Sequence, residues 1–165
     1  MVKRISVFIL IFVSFFSYSK VSVIGLIINQ DTKKIVAEKY TIKNDKSQWR
    51  WDLLPMEVKV DHIKKADASF DGDILKGVWL TLPKDNFNYF NEILKNKYAL
   101  KEENTPFLGD KYAIFEKENV IIWIQAKHMS FDMNVVYMDK VFKEKLEKDI
   151  NEIKQESRER LIEQL

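Results

Sequence analysis

Five consecutive residues, His128-Met129-Ser130-Phe131-Asp132, bring an imidazole, a hydroxyl and a carboxylate together. These are the three groups of a nucleophilic triad. A working triad holds its histidine between nucleophile and acid, with each partner fixed by a separate element. One short connection seldom achieves that, and no G-x-S-x-G elbow is present to raise the serine. The expected role is a connection in which Ser130 and Asp132 satisfy nearby backbone groups while Met129 or Phe131 plugs the core. His128, Ser130 and Asp132 are kept as candidate contacts for a protein partner.

A second constellation runs from Asp67 to Ile74. Asp67, Ser69 and Asp71 occupy the first, third and fifth places of a calcium loop, Gly72 the sixth, Asp73 the seventh and Ile74 the eighth. The closing bidentate acid is missing, because Val78 stands in the twelfth place. Asp67, Ser69, Asp71 and Asp73 are thus at most a weak calcium candidate, and a solvated turn is the favoured reading. The chain has two histidines, His62 and His128, and no cysteine. A zinc site would need both histidines and an acid from distant segments. No metal and no cofactor is expected.

Trp49-Arg50-Trp51 follows a polar loop. Two indoles around a guanidinium have the composition of a binding hot spot, so all three residues are partner-binding candidates. The remaining candidates, Leu161 and Leu165, are apolar residues that return at the chain end after the polar run Lys154–Arg160.

The elements that must position these residues can be read from pattern. Val21–Asn29 is strand-like, and Ile35–Ile42 is expected to pair back on it. Trp49–Leu53 alternates, so Trp49, Trp51 and Leu53 share a face if extended. Met56–Ile63 alternates as a half-buried strand with His62 on its apolar side. Gly77–Leu82, Lys111–Glu116, Val120–Ala126 and Met133–Met138 complete the strand set, and Lys64–Lys76 is the least regular stretch. Val120–Ala126 is apolar on both faces, as a central strand covered on both sides would be. Phe87, Phe90, Leu94 and Tyr98 define one face of a mid-chain helix. Asp139 is placed to cap a long C-terminal helix whose stripe is Phe142, Leu146, Ile150 and Ile153. The expected fold is α+β: one domain, an antiparallel sheet of about five to seven strands, one mid-chain helix and one long C-terminal helix.

Length and composition bound the function. The 165 residues, 46% hydrophobic and 32% charged, fit one domain plus a leader. Lys3 and Arg4, the apolar run Ile5–Phe16 and Ser17-Tyr18-Ser19 form a secretory signal, with cleavage expected after Ser19. The expected division is residues 1–19 as signal peptide and 20–165 as the domain, with 154–165 as a protruding helix end. Localisation is expected in a bacterial periplasm, with an N-terminal membrane anchor as the alternative, since Val21–Ile28 is also apolar and Ile5–Ile28 is long enough to span a bilayer, although Lys20 interrupts the run. Without the leader's two positives, the 27 basic residues fall to 25 and match the 25 acidic ones. A basic nucleic-acid footprint is therefore missing, and no stable membrane span remains after cleavage. Few glycines and no catalytic motif favour a non-enzymatic binding protein with a protein partner, of the immunity or inhibitor type that neutralises a toxin or hydrolase. An envelope structural or assembly factor is the alternative, and a small hydrolase with an unrecognised site ranks last.

Overall fold

The computed structural model of the chain describes residues 20–47 and 49–164. The leader and Leu165 lie outside these residues.

The fold is α+β, with eight antiparallel strands in one sheet and a two-stranded hairpin beside it. Strands β1 (Ser22–Val23) and β2 (Leu26–Ile27) form the hairpin. Its turn, Ile24-Gly25, has φ of 49° and 76°, the left-handed pair that a tight two-residue hairpin demands. Helix α1 (Lys33–Lys39) follows, then β3 (Ile42–Ser47), β4 (Arg50–Leu53), β5 (Lys65–Asp71) and β6 (Ile74–Pro83). Helix α2 (Phe87–Lys97) leads into β7 (Ala99–Asn104), β8 (Lys111–Lys117), β9 (Val120–Ala126) and β10 (Asp132–Asp139). Helix α3 (Lys140–Glu163) ends the chain. The strand order is β3-β4-β5-β6-β10-β9-β8-β7. Two four-strand meanders, each preceded by a helix, thus meet at their last strands, where Val135 faces Leu80 and Tyr137 faces Val78.

Alternation divides the sheet into two faces. On the front, Ala68, Phe70, Val78, Leu80, Leu82, Phe115, Ile122, Ile124 and Val135 join one buried cluster with Leu26 of the hairpin, Val36 of α1, and Phe87 and Leu94 of α2. On the back, a smaller cluster of Val136, Met138 and Phe142 is flanked by Trp79, Ile121, Trp123 and Leu146. The helix α3 covers only part of this face. Strand β9 has its front residues fully buried and Ile121 and Trp123 half-buried behind.

Asp139 caps α3 as its position suggests: its carboxylate accepts the Phe142 N–H at 2.9 Å. It also accepts from the amides of Asn29 (2.9 Å) and Asn119 (2.8 Å). One buried side chain therefore ties together the hairpin segment, the β8–β9 turn and the start of α3.

Several sequence expectations give way. Lys33–Lys39 is helical, because Thr32 caps it by accepting the Ile35 N–H and only one residue, Val36, has to be buried. Met56–Ile63 is not a strand. Both edges of β4 are taken, by β3 and β5, so an alternating segment here has nothing to pair with. Pro55 opens a single 3-10 turn instead, and His62 is exposed in a left-handed conformation (φ 62°) rather than in the core. Ile42–Ser47, Lys65–Asp71 and Ala99–Asn104 are strands, which carries the sheet to eight.

Candidate functional site

The loops at 54–64, 84–86, 105–110 and 127–131 all lie at one end of the sheet, as the pairing of Asp132 with Pro83, Met133 with Ala126, Lys111 with Ala126, and Leu53 with Ala66 requires. Two of them converge. The Asp110 carboxylate, in the β7–β8 loop, accepts the backbone N–H of His128, in the β9–β10 connection, at 2.7 Å. Lys84 braces the same connection from the end of β6. Its ammonium donates to the carbonyls of Lys127 and His128, both at 2.9 Å, and its N–H donates to the Phe131 carbonyl.

Within the connection the Ser130 hydroxyl is fully engaged: it accepts the Asp132 N–H and donates to the Asp132 carbonyl, each at 2.9 Å. The Asp132 carboxylate is paired with Lys64. No hydrogen bond links the His128 ring to Ser130 or Asp132 among the described residues, and His128 is exposed. The triad geometry is therefore not assembled. Ser130 does serve the backbone, but the Asp132 carboxylate pairs with the Lys64 side chain instead, and Met129 and Phe131 do not plug the core. They are 89% and 91% exposed, and in the neighbouring loop Phe107 is 96% and Leu108 73% exposed. The connection projects beyond the end of the sheet, where there is no interior to receive them. The result is a crown of four large apolar side chains on two bonded loops. Met56, also exposed, lies at the same end. Several large apolar side chains exposed on neighbouring loops mark an interaction surface more often than a single exposed side chain does. Phe107 and Leu108 were not among the sequence candidates. The signal for them is an apolar pair set between two breakers, Pro106 and Gly109, where neither a strand nor a helix can carry it into the core.

The Trp49–Trp51 stretch is divided by the strand. Trp51 points forward and packs on Phe70 with ring centroids 4.8 Å apart. Trp49 is exposed in the turn before β4 and lines a cleft of about 380 Å³ with Asp71, Phe142, Lys145, Leu146 and Asp149. Arg50 points backward, donates to Asp67 at 2.7 Å and lies over the Trp79 ring at 4.8 Å. Asp52 and Asp67 are direct cross-strand neighbours on this face. Burial, reinforced by the Asp52 carboxylate, raises the Asp67 pKa above the usual range, and Arg50 opposes the rise. Asp67 is only 5% exposed, while Arg50 and Asp52 are half-buried.

The calcium-loop residues do not converge. In an extended strand Asp67 and Asp71 are about 13 Å apart. Asp67 serves Arg50, while Asp71 pairs with Lys145 of α3 at 2.9 Å. No cluster of three or more metal-ligating side chains occurs among the described residues. No helix among them is long and apolar enough to cross a membrane. Leu161 is exposed on the far half of α3.

No protein-family model, curated protein or solved structure matches the chain.

Proposed function

We propose that this chain is an exported, non-enzymatic binding protein of the immunity or inhibitor type, which acts by seating its loop crown on a protein toxin or hydrolase in the periplasm. The observation that carries this reading is the exposure of Phe107, Leu108, Met129 and Phe131 on loops that are already hydrogen-bonded into place. Binding through such loops loses little conformational freedom, so more of the apolar burial appears as affinity. Each side chain fully buried against a partner is worth about 1.5–3 kcal/mol before those losses. Balanced charge leaves recognition to shape and apolar contact rather than to long-range steering.

The test is a pull-down from the native host with the chain from Lys20 onward, followed by calorimetry on the recovered partner. One stoichiometric protein should be retained by the wild type and lost when Phe107→Ser and Phe131→Ser are combined. Retention of that protein by the double variant removes the crown from the interface. A host lysate activity that depends on His128 would instead favour the hydrolase.

A further inference from the structure

The sulfur atoms of this chain are sorted by burial. There is no cysteine, and beyond Met1 the methionines are Met56, Met129, Met133 and Met138. Met133 and Met138 stand on β10 and are 0% and 2% exposed, one in the front core and one in the back cluster. Met56 and Met129 are 84% and 89% exposed, and both lie at the crown end of the sheet. A close-packed interior does not admit an oxidant to a buried thioether, so reactivity follows exposure. Met129 is also fixed in its exposed position. The Ser130 N–H closes a turn onto the Lys127 carbonyl at 3.1 Å, with Met129 in the third place of that turn. On one side His128 is tied to Asp110, and on the other Ser130 is tied to Asp132. Lys84 holds the carbonyls of Lys127 and His128.

We propose that Met129 is an oxidation site, and that its conversion to the sulfoxide by a peroxide switches off binding through the crown. The switch rests on the crown being the binding surface; the oxidation site does not. In the step itself a sulfur lone pair attacks one oxygen of hydrogen peroxide. The S–O bond forms as the O–O bond breaks, and the departing hydroxide takes the proton of the new S–OH group to leave as water. The sulfur gives up two electrons and the peroxide gains them. A flexible apolar side chain becomes a polar one. The free fold loses almost no packing by this, because the side chain stands in water. In a complex the new oxygen is carried into an apolar contact, and a polar group buried without a donor opposes binding. One such group weakens binding by about tenfold or more. Phe107, Leu108 and Phe131 offer a mild peroxide nothing to attack, so Met129 is the redox-active side chain of the crown. Dedicated reductases return methionine sulfoxide to the thioether, which makes the change reversible. Met56 lies outside the two bonded loops and serves as a control.

The test treats the chain from Lys20 onward with hydrogen peroxide and follows each methionine by peptide mass spectrometry. Met129 and Met56 should gain one oxygen before any appears on Met133 or Met138, with the melting temperature unchanged. A Met129 that stays reduced while Met56 oxidises, or a melting temperature that falls as Met129 oxidises, overturns the site. The switch is read in a Met56→Leu background, against Met56→Leu combined with Met129→Leu. Peroxide should lower retention of the first on a hydrophobic-interaction column and weaken its binding to the partner recovered by pull-down about tenfold. It should leave the second unchanged on both counts, and methionine sulfoxide reductases with a dithiol should restore the first. Undiminished partner binding by a chain fully oxidised at Met129 overturns the switch, while the Phe107→Ser and Phe131→Ser pair still judges the crown on its own. If no partner is recovered, the reading of the crown fails and the switch with it, and the order of oxidation still decides the site.

Discussion

The two ends of the sheet use polar side chains for opposite purposes. At the end where β10 finishes, the Asp139 carboxylate gathers the Phe142 N–H and the amides of Asn29 and Asn119. Asn29 in turn accepts from Lys76 at 2.8 Å. Every one of these bonds draws a separate piece of chain inward, over buried Val21, Ile28 and Val120. At the end where β10 begins, Asp110, Ser130 and Lys84 form comparable bonds. What they hold is a pair of loops whose apolar side chains face water. Polar bonding at the first end completes the core. At the second it fixes the loop shape and leaves the hydrophobic contact unfilled. A protein with no use for that surface would gain solubility by making it polar.

The comparison breaks most visibly at Asp139. Replacing it by alanine removes a helix cap and strands two side-chain amides and a buried N–H. A loss of about 3–4 kcal/mol is expected, measurable as a fall in the urea midpoint with an unchanged slope. A change below about 1 kcal/mol, within the range of a single surface cap, would mean that the three segments do not depend on this residue.

Asp139 also shows what the sequence makes legible. A cap is a local event, so its identity and the start of α3 can be read from a few residues. The same holds for the α2 stripe and for Val120–Ala126, whose side chains carry their own burial. Elements whose formation depends on distant chain are less legible. Strand β5 presents Asp67 and Ser69 to a covered face, which hides its alternation until Arg50 and the cross-strand neighbour Asp52 are in place. Met56–Ile63 alternates well, but β4, the strand it follows, has both edges taken by β3 and β5. At the crown, the sequence identifies His128, Ser130 and Asp132 and assigns Ser130 correctly to the backbone. The fate of Met129 and Phe131 depends on where the connection points, which is set by the lengths of β9 and β10 and by a lysine over forty residues earlier, Lys84.

A smaller effect sharpens the contrast from the crown side. Ser130→Ala deletes both bonds to the Asp132 backbone. The expected stability loss is about 1 kcal/mol, because the loop is solvent-accessible and water replaces part of what is lost. The sharper readout is local: hydrogen exchange at the Asp132 amide should accelerate while amides in β9 keep their protection. If β9 exchange accelerates with it, the crown is coupled to the core and the two ends are not separate in energy.

The smallest effect on stability belongs to the residues with the largest expected role. Phe131→Ser removes an aromatic ring that is almost wholly in water in the free protein, so no cavity forms and no buried group loses a partner. The melting temperature should move by no more than the equivalent of about 0.5 kcal/mol, and retention on a hydrophobic-interaction column should fall. A destabilisation of about 2 kcal/mol or more, the size produced by emptying a core site, would show that the ring is packed in solution and that the crown is closed when unbound. A near-zero change is what the proposed binding surface requires of an apolar side chain that Lys84, Ser130 and Asp110 hold outside the fold.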